Sequence, residues 1–417
     1  MIDYKNNTSS HWEILALLKR GDFVRLWVAN GLWWQAMWME MLVTGWLALE
    51  LTDSAWWVAV IGFCRSIPLL FIGPIGSIVT DRYLRRHLIL TFQIVNALVF
   101  LLLAVLFGLG YLVYWHLGVF SLLQGCVWAL DWPTRRAIIP DIVGRDKIVD
   151  AIVLENIVQN TTRIFGPLGA GLVVEALGIF SALCVLVAMA FISVAVLAGV
   201  GSQSRAPEAV VGISAAIDKT RRGWRFVRGH KRIWGVFLIT ICMNVWAFPY
   251  MSLLPVFARD ILGLGPTGLG WLGAAHGIGA SLGLLLVNWG RRYLSNEWLF
   301  TFGSLFLCVG LIAFSVSYSY KWSLILMFCS GLGQAGFSIM QSSIILVEAP
   351  DEMRGQAMGA LVLAIGMGPF GRLQSGAMAD LWGAPFAVGS MAVCAGLATL
   401  AVAWWAKGFL GETIRRD

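Results

Sequence analysis

One carboxylate stands inside a strongly apolar, tryptophan-rich run: Glu40, in Trp33-Trp34-Gln35-Ala36-Met37-Trp38-Met39-Glu40. On a helix Asn30, Trp33, Met37, Glu40 and Thr44 share one broad face. A charged group at the centre of a bilayer costs about 2.5–3.5 kcal/mol on insertion scales, so such residues face protein or water and are usually functional. Apolar surroundings favour the uncharged form of a carboxyl group, which suits reversible protonation. The competing reading is structural, an ion pair with Arg65 for instance. A second polar row, Asn156, Asn160, Arg163 and Pro167, keeps to one side of a helix by its 4, 3, 4 spacing. Arg163 is placed to supply a counter-charge, for a buried carboxylate or for an anionic substrate. Glu40 is therefore a proton-coupling candidate.

Other polar groups in apolar runs carry weaker signals. Gln124 and Asp131 are seven residues apart, and Gln334 and Gln341 repeat that spacing. Each pair shares a helix face, fit to line a cavity or to bond a neighbouring helix. Asn244 and Trp246, with Phe248 and Tyr250 around Pro249, offer a polar and aromatic wall. His276 and Arg372 stand alone, and a lone histidine is more often a packing partner than a proton carrier. The seven cysteines are scattered singly, without Cys-x-x-Cys or a histidine cluster, so neither a metal site nor a disulfide framework is expected. No nucleophile motif and no phosphate loop occurs, so no cofactor is implied and an enzyme is not expected.

These groups need elements to hold them, and composition says what kind. Of 417 residues 59% are hydrophobic and 13% charged, with a mean hydropathy of +0.77. A soluble domain carries about 25% charge, so this chain requires hydrocarbon as solvent. Runs long enough to cross a bilayer fall near 24–48, 55–79, 88–110, 114–133, 151–174 and 178–200, then 233–257, 267–289, 297–317, 322–346, 356–379 and 384–406. The charge-rich stretch 201–232 divides an N-terminal half, 1–200, from a C-terminal half, 233–417. The polar N-terminus, Met1 to Asp22, implies a first span that inserts uncleaved. With that terminus in the cytoplasm, the outer loops hold only Arg259 and Lys321, and Arg65, Arg163 and Arg372 fall inside spans. The remaining 25 of 30 Lys and Arg lie on the inner side, which places both termini in the cytoplasm. The net charge of +7 thus serves topology, and nucleic acid is not an expected partner.

The two halves echo each other. At an offset of 210 residues Arg82-Tyr83-Leu84 answers Arg292-Tyr293-Leu294, Thr91-Phe92 answers Thr301-Phe302, Gln124 falls on Gln334, and Pro140-Asp141 falls on Pro350-Asp351. At an offset of 205, Gly171-x3-Glu175-x2-Gly178 answers Gly376-x3-Asp380-x2-Gly383. Six spans per copy give two parallel repeats, which place a substrate site between them near the midplane.

After the second span comes Gly76-Ser-Ile-Val-Thr-Asp81-Arg82-Tyr83-Leu84-Arg85-Arg86. It resembles motif A of the major facilitator superfamily, with Asp81 and Arg85 in its acid and base positions, and Ser77 and Leu84 where glycines are usual. Asp131-Trp-Pro-Thr-Arg-Arg-Ala-Ile-Ile-Pro140-Asp141, Asn160-Thr-Thr-Arg163-Ile-Phe-Gly166-Pro167, Leu254-Pro-Val-Phe-Ala-Arg259-Asp260 and Pro350-Asp-Glu-Met-Arg354-Gly355 extend the likeness over nearly the whole chain. Together they resemble the branch with the enterobactin exporter and the macrolide and multidrug efflux proteins. The resemblance implies an inner gate from Asp81, Arg82, Arg85, Arg86 and Asp131, with Arg85 bridging Asp81 to Asp131. Gly166-Pro167 resembles part of the antiporter motif C. Proton-linked members often carry an arginine three residues before a Gln-Gly pair; here Gln124-Gly125 is present and Ser121 stands in that place. Arg65 or Arg163 would have to substitute.

The resulting expectation is an all-α membrane protein of twelve transmembrane helices, a monomer in a bacterial inner membrane. It would export an amphipathic small molecule, such as a drug or siderophore, driven by proton entry through alternating access. An uptake symporter or lipid flippase of the same fold is the alternative.

Overall fold

The computed structural model describes residues 17–201 and 213–405, apart from the side chains of 74–82, 145 and 213–220. Every regular element among them is helical. The first crossings are α1 (Gly21–Thr52), α2 (Ala55–Arg82), α3 (Arg85–Gly108) and α4 (Tyr114–Val143). The long α5 (Ile148–Ala198) carries two more, because Gly178 at φ 84° breaks it. Trp27 Nε1 donates to the Leu154 carbonyl and Arg25 Nη1 to that of Gly199, so both arms return to the first turns of α1. Only a glycine adopts that backbone readily, and the expected division at 174–178 follows from it.

The charge-rich stretch contains α6 (Ile213–Gly229). Beyond it come α7 (Lys231–Cys242), α8 (Tyr250–Val256), α9 (Pro266–Gly290), α10 (Asn296–Ser315) and α11 (Tyr320–Glu348), then α12 (Asp351–Ile365), α13 (Gly368–Trp382) and α14 (Ala384–Trp405). Wide π turns at Met243–Ala247 and Phe257–Ile261 flank α8 and run α7 and α8 together as one crossing. The helix bends between α12 and α13, where Pro369 opens the new segment. Among the described residues eight helices are long and apolar enough to cross a membrane. Large side chains left exposed, such as Phe71, Leu109, Leu177 and Trp404, suit lipid contact rather than water. Of the helices outside those eight, α6 lies in the charge-rich stretch, and α1, α4 and the α12–α13 pair hold Glu40, Asp131, Arg135 and Arg372.

The first six crossings pack mainly through α1 on α5, α2 on α4 and α3 on α5. The last six pack through α10 on α11, α9 on α11 and α10 on α14. The two bundles meet chiefly where α5 lies on α9 and α2 on α13. At one end of these seams the Thr267 N–H donates to Glu175 Oε2 at 2.8 Å, and Ser54 Oγ donates to Asp380 Oδ1 at 3.0 Å. Arg259 reaches Asp53 and the Leu49 carbonyl there. A Cβ on Gly171 would lie 2.3 Å from the Pro266 carbonyl oxygen, so the α5–α9 contact is backbone on backbone.

Candidate functional site between the two bundles

Three polar networks occupy the apolar interior. In the first, Arg65 Nε on α2 donates to Glu40 Oε2 on α1 at 3.1 Å, and Glu40 is 1% exposed. The pair is incomplete: Glu40 Oε1 and Arg65 Nη1 have no protein partner. On one side of it lies a cavity of about 10 Å³ lined by Trp33, Met37, Asn96, Gln124 and Trp128. Asn96 Oδ1, Gln124 Nε2 and Trp128 Nε1 are buried there without partners. Orphaned donors and acceptors around a space of this size are what a single ordered water requires. On its other side the pair faces a cavity of about 60 Å³, shared with Ser66, Ser252 and Arg372. Arg372 enters from α13 and donates to Ser66 Oγ and, at 3.4 Å, to the Gly62 carbonyl.

The second network joins α5, α9, α11 and α8. Arg163 lies over the Trp38 ring at 5.5 Å and donates to Gln334 Oε1. The same oxygen accepts from His276 Nε2, and the Tyr250 hydroxyl stands 3.2 Å from that ring. Trp38, Arg163, His276 and Tyr250 edge a cavity of about 80 Å³ with Met41, Leu42, Met251, Leu254 and Met327, and Gln334 lies behind them outside its lining. Met41, Met251 and Pro255 line both this cavity and the one at Glu40, so the two adjoin. Gly166 is forced by the approach of α1, since a Cβ there would sit 2.4 Å from Trp38 Cβ. Pro167 packs against Gly270 and Gly273.

In the third network Arg135, 3% exposed, donates to Asp131 at 2.8 Å and to Asn30 Oδ1 and Gln93 Oε1 at 2.7 Å each. Its guanidinium lies 4.9 Å from the Trp33 ring centre. Glu155 is buried beside it.

Several expectations change against this geometry. Arg163 is not the partner of Glu40; it belongs to the Gln334–His276 cluster, and Arg65 holds the acid. Among the described residues Glu40 is one of three buried carboxylates, with Asp131 and Glu155. Arg85 Nη1 pairs with Asp141 at 2.8 Å and bonds the Ala137 carbonyl, while Asp131 pairs with Arg135. Asp131 lies about 15 Å further along α4 than Asp141 at 1.5 Å per residue, too far for an arginine opening α3. Arg86 donates to the Ala198 carbonyl. Asp81 and Arg82 lie outside the described side chains. Asn156 is exposed, and Asn160 donates to its carbonyl rather than lining these cavities. Gln341 donates to Thr240 Oγ1 at 2.7 Å, Asn244 donates to the Thr240 carbonyl, and Trp246 is half-buried against the core. Arg135 is the residue that the sequence reading misses, and its signal is the four-residue step from Asp131. His276, expected to be a packing partner, bonds Gln334 and Tyr250.

The profile of the family described as "Transmembrane secretion effector" matches residues 13–411. The chain belongs to that family. It is thus a transporter of the major facilitator superfamily and not an enzyme. It is 21% identical over 357 residues to the staphyloferrin A transporter of Staphylococcus aureus, covering 83% of this chain and 86% of that protein. It is 26% identical over 356 residues to the multidrug efflux pump Tap of Mycolicibacterium fortuitum, covering 81% and 84%. Among solved structures, a peptide transporter of the POT type superposes with a TM-score of 0.78 at 14% identity, over 93% of this chain and 94% of that one. The nucleoside transporter NupG superposes with a TM-score of 0.75 at 13% identity, over 93% and 99%. Those likenesses show the fold alone. Its cargo has to be read from the cavities.

Proposed function

We propose that this protein exports an amphipathic small molecule across a bacterial inner membrane, coupled to proton entry, by alternating access. The observation that carries the reading is the position of Glu40. One carboxylate, paired on one oxygen only, stands between a polar pocket inside the first bundle and a cavity at the seam of the two bundles. Protonation would release Arg65, and the loss of charge would be felt at the seam through which the bundles rock. The efflux role carried by the name of the Tap relative supports the outward direction. The lysine and arginine bias supports cytoplasmic termini, and the paired Gly171/Gly376 motifs support two parallel repeats. The seam contacts at Glu175, Asp380 and Arg259 would then close the outer side, and Asp81 with the basic loop would latch the inner one in the opposite state.

The test is transport in vesicles of known orientation. Glu40→Gln should abolish substrate movement against a gradient and keep downhill exchange; uphill transport at the normal rate would end the proposal. Asp81→Asn should raise cytoplasmic labelling of single cysteines along the cavity. Labelling equal to wild type would return the loop to a topology signal.

A further inference from the structure

Two arginines at the seam have no acid to answer them. Arg163 is held by Gln334 and the Trp38 ring, and Arg372 by Ser66 and the Gly62 carbonyl. Among the described residues neither forms an ion pair, and Arg372 shares its cavity with another cation, Arg65. Glu40 is the single carboxylate lining the two adjoining cavities, and Arg65 already engages it. Arg163, Arg65 and Arg372 against Glu40 leave an excess of two positive charges when Glu40 is ionised, and more when it is protonated.

A buried cation without a counter-charge is costly, and neutral acceptors or an aromatic face offset only part of that cost. Arg163 gives one N–H to Gln334 and borders the cavity, leaving the rest of its planar donor set for a ligand. An acid group matches that set in two-point geometry. The remaining lining is apolar and polarizable: Trp38, Met41, Leu42, Met251, Leu254 and Met327. Thioether side chains adapt to irregular apolar shapes.

We propose that the transported molecule is an organic anion, its acid group held by Arg163 and its apolar body against Trp38, Met41, Met251 and Leu254. Arg372, in the adjoining cavity, is available to a second acid group. The proposal rests on the transport reading above and narrows it to one charge class. A cationic amphiphile would face two like charges at the seam.

Binding to the purified full-length protein in lipid nanodiscs tests this with three matched probes: naphthaleneacetate, the uncharged naphthaleneacetamide, and naphthylmethyl-trimethylammonium. Quenching of tryptophan fluorescence and thermal shift supply two readouts. The carboxylate should bind at least tenfold more tightly than either analogue. Arg163→Gln should remove that preference, and Arg163→Lys should keep part of it. Glu40→Gln removes the one negative charge at the seam and should raise that preference while uphill transport is lost, and Gly118→Ala, with nothing within 4 Å of its Cβ, should leave it unchanged, so a failure of proton coupling and a failure of anion selectivity are told apart. Equal or tighter binding of the amide or the ammonium probe overturns the proposal, as does the absence of binding by all three. An anion preference that survives the Arg163→Gln, Arg372→Gln double variant also overturns it. Should a variant not fold, the wild-type ranking of the three probes decides.

Discussion

Gly171→Ala separates a packing role for the α5–α9 seam from a mechanical one. The added Cβ would lie 2.3 Å from the Pro266 carbonyl oxygen, 2.9 Å from its carbon and 3.0 Å from Thr267 Cα, where ordinary contact begins at 3.4 Å. All three obstacles are backbone, so no side chain can swing away and the helices must part by roughly 1 Å. Overpacking of this kind costs about 1–3 kcal/mol. That cost falls on the state in which the Glu175 end of the seam is closed, and is relieved in the state in which it is open. The open-to-closed ratio should therefore rise by about 5- to 150-fold. In a cysteine-free background, Met41→Cys reports the change through its rate of labelling by an impermeant reagent added from the Glu175 side. Gly118→Ala is the control: nothing lies within 4 Å of its Cβ, so it should leave labelling unchanged. Unchanged labelling in Gly171→Ala together with a lowered melting temperature would refute the reasoning. It would mean that the bundle absorbs the clash without opening.

Arg135→Ala should destabilise the first bundle by about 3–5 kcal/mol, because it leaves the buried Asp131 carboxylate unpaired; denaturant-induced unfolding in detergent measures this. The Thr267 N–H holds the Glu175 carboxyl below its ordinary value of 4.5. The ionised acid therefore favours the closed seam fully above that value, and the contribution is lost as pH falls through the depressed one. Labelling of Met41→Cys should be flat at neutral pH and rise only in acid, with the rise absent in Glu175→Gln. Arg259→Ala, which removes a pair with the 83% exposed Asp53 side chain, should change stability by no more than about 1 kcal/mol, read as a small shift in melting temperature.

The crossings were legible because hydrocarbon imposes one rule on the whole chain: a segment must be long, apolar and helical, and must end where glycine or charge allows. The division of α5 could be placed from Gly178, and the end of α13 from Gly383, since both positions need positive φ. Glu40 was legible for the same reason, as an ionisable group where none is cheap. Arg135 was not, because it stands near the end of a span among other cations. Its burial depends on Asn30 and Gln93 arriving from two other helices. The Arg163–Gln334–His276 cluster depends on how α5, α9 and α11 rotate against one another, which is set by packing between bundles rather than by spacing along any helix. The same limit explains Arg85: motif spacing named an acid, and the height of α3 against α4 selected a different one.

The wide turns on either side of α8 give that crossing a different kind of adjustability. Each π turn holds one residue more than an α turn would, so each is in effect a one-residue insertion stored within a continuous helix. Losing the extra residue of Met243–Ala247 would only close that turn, whereas losing one residue from α7 with the wide turn kept would turn everything after it by about 100°. Met251, Leu254 and Pro255 would leave the cavity and other side chains would take their places. Change of chain length, as well as change of residue type, is thus a route by which descendants of this chain can acquire new cargo.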